Sequence, residues 1–265
     1  MGTYFVLKEA EKIEYNIDSL IADLDGHVVS LVGGGGKTSI ICELSEAASR
    51  YGKKVLVLTT THMMAPEKDK HAFSMKEVTD LWEMGAVAWI GEIIEDITYE
   101  SKVVRKLSPP DNELMNEAIS HADIVFIEAD GAKGKPCKLP RKHEPVIIPQ
   151  SDIIIGVMGM DALEGNIMEQ CFLPEMIIDF LRVHGDGRKD YNNTRLNSLE
   201  AAMILMSKEG TGKDVCLRDY WIVLNKCDLD SDGKAEGICK EINHLQSDMK
   251  TDMVNCSRII MRSRK

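Results

Sequence analysis

The sequence predicts an α/β fold, a P-loop NTPase-like three-layer sandwich with a mostly parallel central sheet and a small insertion, and three observations carry that reading. Short apolar runs recur along the chain at residues 54–58 (KVLVL), 123–127 (DIVFI), 153–158 (IIIGVM) and 220–224 (YWIVL). Uninterrupted apolar strands of this kind belong to parallel sheets covered on both faces. Segments of helical period separate several of them, as β-α-β crossovers require. The earliest run, Val28, Val29, Leu31 and Val32, breaks into four consecutive glycines, Gly33 to Gly36, followed at once by Lys37, Thr38 and Ser39.

The 265 residues are expected to form a single domain, 1–265, with an insertion or subdomain at about 63–121. Apolar residues make up 44% and charged residues 28%, the composition of a folded globular chain. The net charge of −11 argues against nucleic acid or an anionic membrane as a bulk partner. No apolar run approaches the ~18 residues that span a bilayer, and the acidic start does not read as a signal peptide, so the expected location is cytoplasmic. Seven cysteines without a C-x-x-C pair favour reduced, mostly buried thiols; Cys137, in a polar loop, is the one thiol placed to be reactive, with an incidental role the favoured reading.

Taken in order, residues 7–24 read as an amphipathic helix leading into the first strand. The glycine run after that strand has the grammar of a phosphate-binding loop. Glycines let backbone N–H groups approach phosphate oxygens with no Cβ in the way, and the next helix offers its positive N-terminal end. Gly33, Gly34, Gly35, Gly36 and Ser39 would line the cradle, Lys37 would reach the β/γ-phosphates, and the Thr38 hydroxyl would ligate Mg2+. The position of the full motif's first glycine is held by Leu31, leaving the shortened form Gly33-x-x-Gly36-Lys37-Thr38.

Residues 39–51 then form a helix stopped by Gly52, and the strand at 54–58 ends in Thr59-Thr60-Thr61-His62. Ligand-contacting groups collect at such carboxyl ends, which makes Thr60 and His62 candidates for the reacting phosphate or the magnesium shell. Residues 87–90 read as a short strand, and Asp111 leads a helix ending near His121.

The strand at 123–127 runs into Glu128-Ala129-Asp130-Gly131. A carboxylate at the end of a buried strand is what a phosphate-loop enzyme needs to hold Mg2+, so Glu128 and Asp130 are candidate metal ligands and Asp130 a candidate catalytic group. The spacing from Glu128 to Gly131 resembles an element of metal-chaperone GTPases whose glycine N–H senses the γ-phosphate. The proline- and cation-rich stretch 134–150 follows, with Lys133 just before it and Lys135 near its start. Within it, Lys138, Arg141, His143 and Glu144 are candidate contacts for an anionic second substrate.

Residues 174–183 and 194–208 have helical character, with Thr194 a candidate N-cap and Gly210 a stop. His184 and Arg188 are polar candidates at the same sheet edge. The strand at 220–224 ends in Asn225-Lys226-Cys227-Asp228, the N-K-x-D element with which GTPases read guanine. The aspartate accepts from the base's N1–H and exocyclic amine while the lysine stem packs on the ring. A helical or strand-like segment spans 234–245, and Asn255-Cys256-Ser257 is a candidate further base-contacting loop.

LVGGGGKTS, VLVLTTTHMMAPE, FIEADGAKGKPCKLPRKHEPVI and IIIGVMGMDALEG together resemble the YqeC-type selenium-dependent hydroxylase accessory proteins. The resemblance runs from the first strand to the NKCD element and is most distinctive from Glu128 to Pro145. It implies a P-loop nucleotide-binding fold and a role in maturing selenium-dependent molybdenum hydroxylases at the level of their cofactor, with a molybdenum hydroxylase or cofactor-handling protein as partner. The sequence departs from the family pattern at Gly34, usually another small residue, and in HGDGRKD, where a His-Arg-Pro-Glu run is expected. The residues favour GTP over ATP as the nucleotide, with an ATP-dependent ligase or kinase acting on a small anionic substrate as the alternative.

Overall fold

The computed structural model describes residues 2–8, 11–97, 103–186, 189–248 and 252–264. Its central sheet has ten strands, which in chain order are β1 (Thr3–Lys8), β2 (Glu11–Glu14), β3 (Val28–Gly33), β4 (Val55–Thr59), β5 (His71–Ala72), β6 (Ala88–Ile90), β7 (Ile124–Glu128), β8 (Ile153–Gly159), β9 (Asp219–Asn225) and β10 (Arg258–Ser263). From one edge to the other they run β2-β1-β10-β9-β8-β3-β7-β4-β6-β5. Only the β1–β10 and β1–β2 pairings are antiparallel. The strands named β3 and β4 are not neighbours, because β7 lies between them and pairs with both.

Side-chain alternation explains why these strands are apolar throughout. Val29, Leu31, Val55, Val57 and Phe126 pack with α1 (Ile17–Leu24) and α2 (Lys37–Arg50). On the opposite face, Leu56, Leu58, Val125 and Ile127 meet α3 (Met75–Glu83) and α4 (Asn112–His121). Ile154, Ile222 and Leu224 continue that face against α5 (Pro174–His184), α6 (Ser198–Met206) and α7 (Lys234–Ser247). Both surfaces of the sheet are therefore covered, and the chain is the expected α/β sandwich.

Sequence and structure part at three places. Residues 7–24 do not form one helix: β1 and β2 make a hairpin, and α1 starts only after Asn16, whose side chain accepts from the Asp18 amide. The cause is distant, since β1 pairs with the C-terminal strand β10, which sequence reading did not anticipate. Helix α6 is capped by Asn197 rather than Thr194, because Asn197 and Glu200 satisfy each other's backbone amides in a capping box. It also ends at Met206, before Gly210. Asp111 caps α4 as its sequence suggests, accepting from the Glu113 and Leu114 amides.

Within residues 63–121, β5, α3, β6 and α4 are integral to the sandwich. A separate three-stranded sheet, Met63–Met64, Val103–Ser108 and Glu92–Ile97, stands beside it. A two-stranded parallel ladder pairs Cys137–Lys138 with Cys171–Phe172. Cys137 is buried there next to Cys171, and that hydrogen-bonded neighbour together with burial pushes its thiol well above the ordinary range, in keeping with an incidental thiol. The exposed thiol is Cys216.

Candidate functional site

The carboxyl ends of β3, β4, β7, β8 and β9 gather Gly33, Thr59, Glu128, Gly159 and Asn225 along one side of the sheet. The glycine loop crosses this edge so tightly that side chains do not fit. A Cβ on Gly33 would lie 2.4 Å from the Val157 carbonyl oxygen, and one on Gly35 2.1 Å from the Gly159 nitrogen. Gly33, Gly35 and Gly36 also adopt φ of 95°, 83° and 113°, backbone space that glycine alone enters freely.

The loop amides are not all aimed outward as the sequence suggests. Gly34 N–H donates to the Val157 carbonyl (3.0 Å) and Gly35 N–H to that of Lys135 (2.9 Å). Gly33 N–H donates to both Asp130 carboxylate oxygens, each at 3.1 Å. Amides open to an anion are thus left to Gly36 and to Lys37, Thr38 and Ser39 in the first turn of α2, where helical N–H groups have no intrahelical acceptor. Gly33 and Gly34 shape the loop from behind.

Behind it lies a buried chain of charges. Lys37 Nζ donates to the Gly33 carbonyl (2.6 Å), stands 3.1 Å from Asp130 Oδ1 and 3.9 Å from Glu128 Oε1, and is only 4% exposed. Thr38 Oγ1 donates to Glu128 Oε2 at 2.6 Å. Asp130 is also 3.1 Å from Lys138 Nζ, which donates to Glu144 Oε2 (2.7 Å) and the Gly131 carbonyl (2.9 Å). Arg141 completes the chain through Glu144 Oε1 at 2.8 Å.

Burial works against the charge on Lys37, but Asp130 and Glu128 outweigh it and hold the ammonium above its ordinary range. For Glu128 burial prevails and raises the carboxyl. Glu144 is pulled down to about 2, since hydrogen bonds from Arg141 and Lys138 overcome its desolvation.

The other expected residues divide. Thr61 and His62 line the cleft in front of the loop, and the buried Thr61 hydroxyl has no partner among the described residues. Thr60 is turned aside, its hydroxyl donating to the Val146 carbonyl at 2.7 Å. Lys138, expected to face a substrate, lies fully buried beneath the cleft, whereas Arg141 and Glu144 line it and exposed His143 does not. Lys213, unmarked by any motif, clamps the loop by donating to the carbonyls of Arg141 (2.9 Å) and Lys142 (3.0 Å).

Asn225 reaches the glycine loop, donating from Nδ2 to the Gly35 carbonyl at 2.7 Å. Its Oδ1 accepts from Arg262 Nη1 at 2.6 Å. Lys226 and Asp228 lie outside the cleft lining, Lys226 paired with Asp161 and Asp228 accepting from the Arg264 amide at 2.8 Å. Asn255, Cys256 and Ser257 precede β10 and sit at the opposite, amino-terminal end of the parallel strands, which removes them from any base contact made at Asn225. His184 pairs with Glu209 (3.1 Å), and Arg188 is outside the described residues.

A hydroxyl and carboxylates make a hard-oxygen donor set that fits magnesium. Among the described residues no cluster of three or more His, Cys, Asp or Glu side chains could cage a metal alone. An ion held by Thr38 and Glu128 would have to complete its shell with oxygens from outside the chain. Among the described residues no helix is long and apolar enough to cross a membrane.

The family model described as YqeC protein matches residues 29–175, a span holding the glycine loop, Glu128–Gly131 and the cationic loop. The uncharacterized protein YqeC of Escherichia coli strain K12 is 31% identical over 153 residues, 56% of this chain. The match spans 59% of that relative's length. No solved structure matches the chain. A family match over more than half the sequence, which takes in the glycine loop and Glu128–Glu144, makes this chain a member of the YqeC family.

Proposed function

We propose that the protein binds and hydrolyses a nucleoside triphosphate with magnesium, GTP in preference to ATP, as an accessory factor in maturing selenium-dependent molybdenum hydroxylases or their cofactor. The observation that carries the nucleotide reading is the convergence of Lys37, Thr38, Glu128 and Asp130 at the N-terminus of α2, where Thr38–Glu128, Lys37–Asp130 and Lys37–Glu128 contacts of 2.6, 3.1 and 3.9 Å link all four. The accessory role and its partner hydroxylase or cofactor-handling protein rest on the family resemblance, and the cytoplasmic setting on the sequence expectation alone.

In this reading the buried charges prepare the site. Asp130 stands in for an anion, holding Lys37 until phosphate oxygens take its place, while Lys138 and the Gly33 amide keep Asp130 fixed. Thr38 and Glu128 would hold the magnesium ion, with Asp130 behind them, and the ion supplies charge neutralisation at the β/γ-phosphates. His62, which lines the cleft beside the loop, would be the group to orient the attacking water.

Affinity for labelled GTP and ATP, with and without magnesium, tests the proposal. Binding of either one should require magnesium, and Lys37→Ala should weaken it about 10- to 100-fold, the worth of one charge-assisted contact of roughly 1.5–3 kcal/mol. No binding of either nucleotide by the folded protein ends it. A second reading, phosphoryl transfer to a small anionic acceptor by an ATP-dependent kinase or ligase, is favoured by the cations Lys133, Lys135 and Arg141 in the cleft wall. Phosphate release that depends on an added small molecule separates it from simple hydrolysis.

A further inference from the structure

The cleft encloses about 910 Å³, and the phosphate loop accounts for only one of its walls. Its far half is built by both small sheets: Met64 and Ile94 come from the three-stranded one, and Phe172 from the ladder that holds Lys138, with Leu173 following. Met64 is 52% and Leu173 36% exposed, apolar side chains left open at the rim of a charged cleft. Lys133 Nζ stands 5.9 Å from the Phe172 ring centroid, within cation–π reach.

The backbone is strained in this half. Lys133 and Leu173 adopt φ of 47° and 51°, two of five non-glycine residues with positive φ among the described residues. For a bulky side chain such as leucine this conformation is an outlier, held only where the surroundings impose it, and such strain gathers at ligand sites. Charge points the same way. The lining holds five cations, Lys37, Lys106, Lys133, Lys135 and Arg141, against three carboxylates, Glu95, Glu128 and Glu144. With the buried Lys138 and Asp130 beneath the lining added, six cations meet four carboxylates, so the cleft is locally positive in a protein of net charge −11.

We propose that this half of the cleft is a second ligand site, for a small anionic molecule with a flat apolar body seated between Met64, Ile94 and the Phe172–Leu173 ledge, its charge facing Lys133 and Arg141. The proposal deepens the nucleotide reading and relies on it only for what fills the other half.

The probes are 8-anilinonaphthalene-1-sulfonate and its uncharged counterpart N-phenyl-1-naphthylamine, titrated by fluorescence into the full chain with and without magnesium and GTP. One equivalent of the sulfonate should bind, with the uncharged ring at least about tenfold weaker, a difference of roughly 1.4 kcal/mol. Phe172→Ala and Met64→Ser should each weaken the sulfonate several-fold at unchanged circular dichroism, as should Lys133→Asn, which keeps a residue tolerant of positive φ. Equal binding of both probes, no saturable binding, or indifference to all three variants overturns the proposal. Labelled-nucleotide affinity on the same samples keeps the two readings apart. Loss of nucleotide binding with the sulfonate site intact removes the first reading alone, and the reverse removes the second.

Discussion

Two motif regions share the carboxyl edge of the sheet and are built on opposite principles. Around the glycine loop, Lys37, Asp130, Lys138 and Glu144 are buried and answer one another through a continuous chain of contacts. At the NKCD element only Asn225 is buried and tied to the loop, while Lys226 and Asp228 are held at the surface by Asp161 and Arg264. Buried charges fix geometry because no water can replace a lost partner, whereas surface pairs can be exchanged for a ligand at small cost. On that ground the first region is expected to be held rigid by its partners, apart from the Lys37 contact a ligand would take over, and the second to exchange its pairs readily.

The sharpest way to break that contrast is Lys138→Met. It leaves Asp130 and Glu144 buried without the ammonium between them, and removing one partner of a buried pair costs about 3–5 kcal/mol. Chemical denaturation should register a loss of that order. A loss under about 1 kcal/mol would mean that water reaches the network and that it is not rigid in the sense argued here.

Acid should act on the same region. Glu144 is depressed in the folded state to about 2, below the ordinary carboxylate value of ~4.3. A depressed carboxyl contributes stability that is complete above the unfolded value and is lost as pH falls through the folded one. The melting temperature of wild type should exceed that of Glu144→Gln at neutral pH, and the gap should close between about pH 4 and pH 2. A gap independent of pH would place the Glu144 contribution in packing instead of charge.

The rigid region was also the more legible one. Its strands are continuous apolar runs, its glycines are required by contacts under 3 Å, and Glu128 and Asp130 stand at the end of such a run. The direction of Lys138 was hidden, because a lysine in a polar loop looks solvated until Asp130 and Glu144 close around it. At the second region the residues that decide the geometry, Arg262 and Arg264, follow from a strand whose partner β1 lies at the other end of the chain. Local pattern cannot carry a pairing of that sequence separation, and the same pairing turned an expected helix into a hairpin.

The smallest stability change belongs to Asp228→Asn, and it bears most directly on the nucleotide. Asp228 keeps its contact to the Arg264 amide through an asparagine oxygen and loses only a surface ion pair, so stability should move by no more than about 0.5 kcal/mol. Selectivity should respond differently. If the base is read here, it must draw Asp228 away from Arg264, and the substituted amide then offers a donor where guanine's exocyclic amine also donates. Competition binding should show preference moving from GTP toward XTP at nearly unchanged stability. An unaltered preference would mean that Asn225 serves only to brace the glycine loop and that the base is recognised elsewhere along the edge.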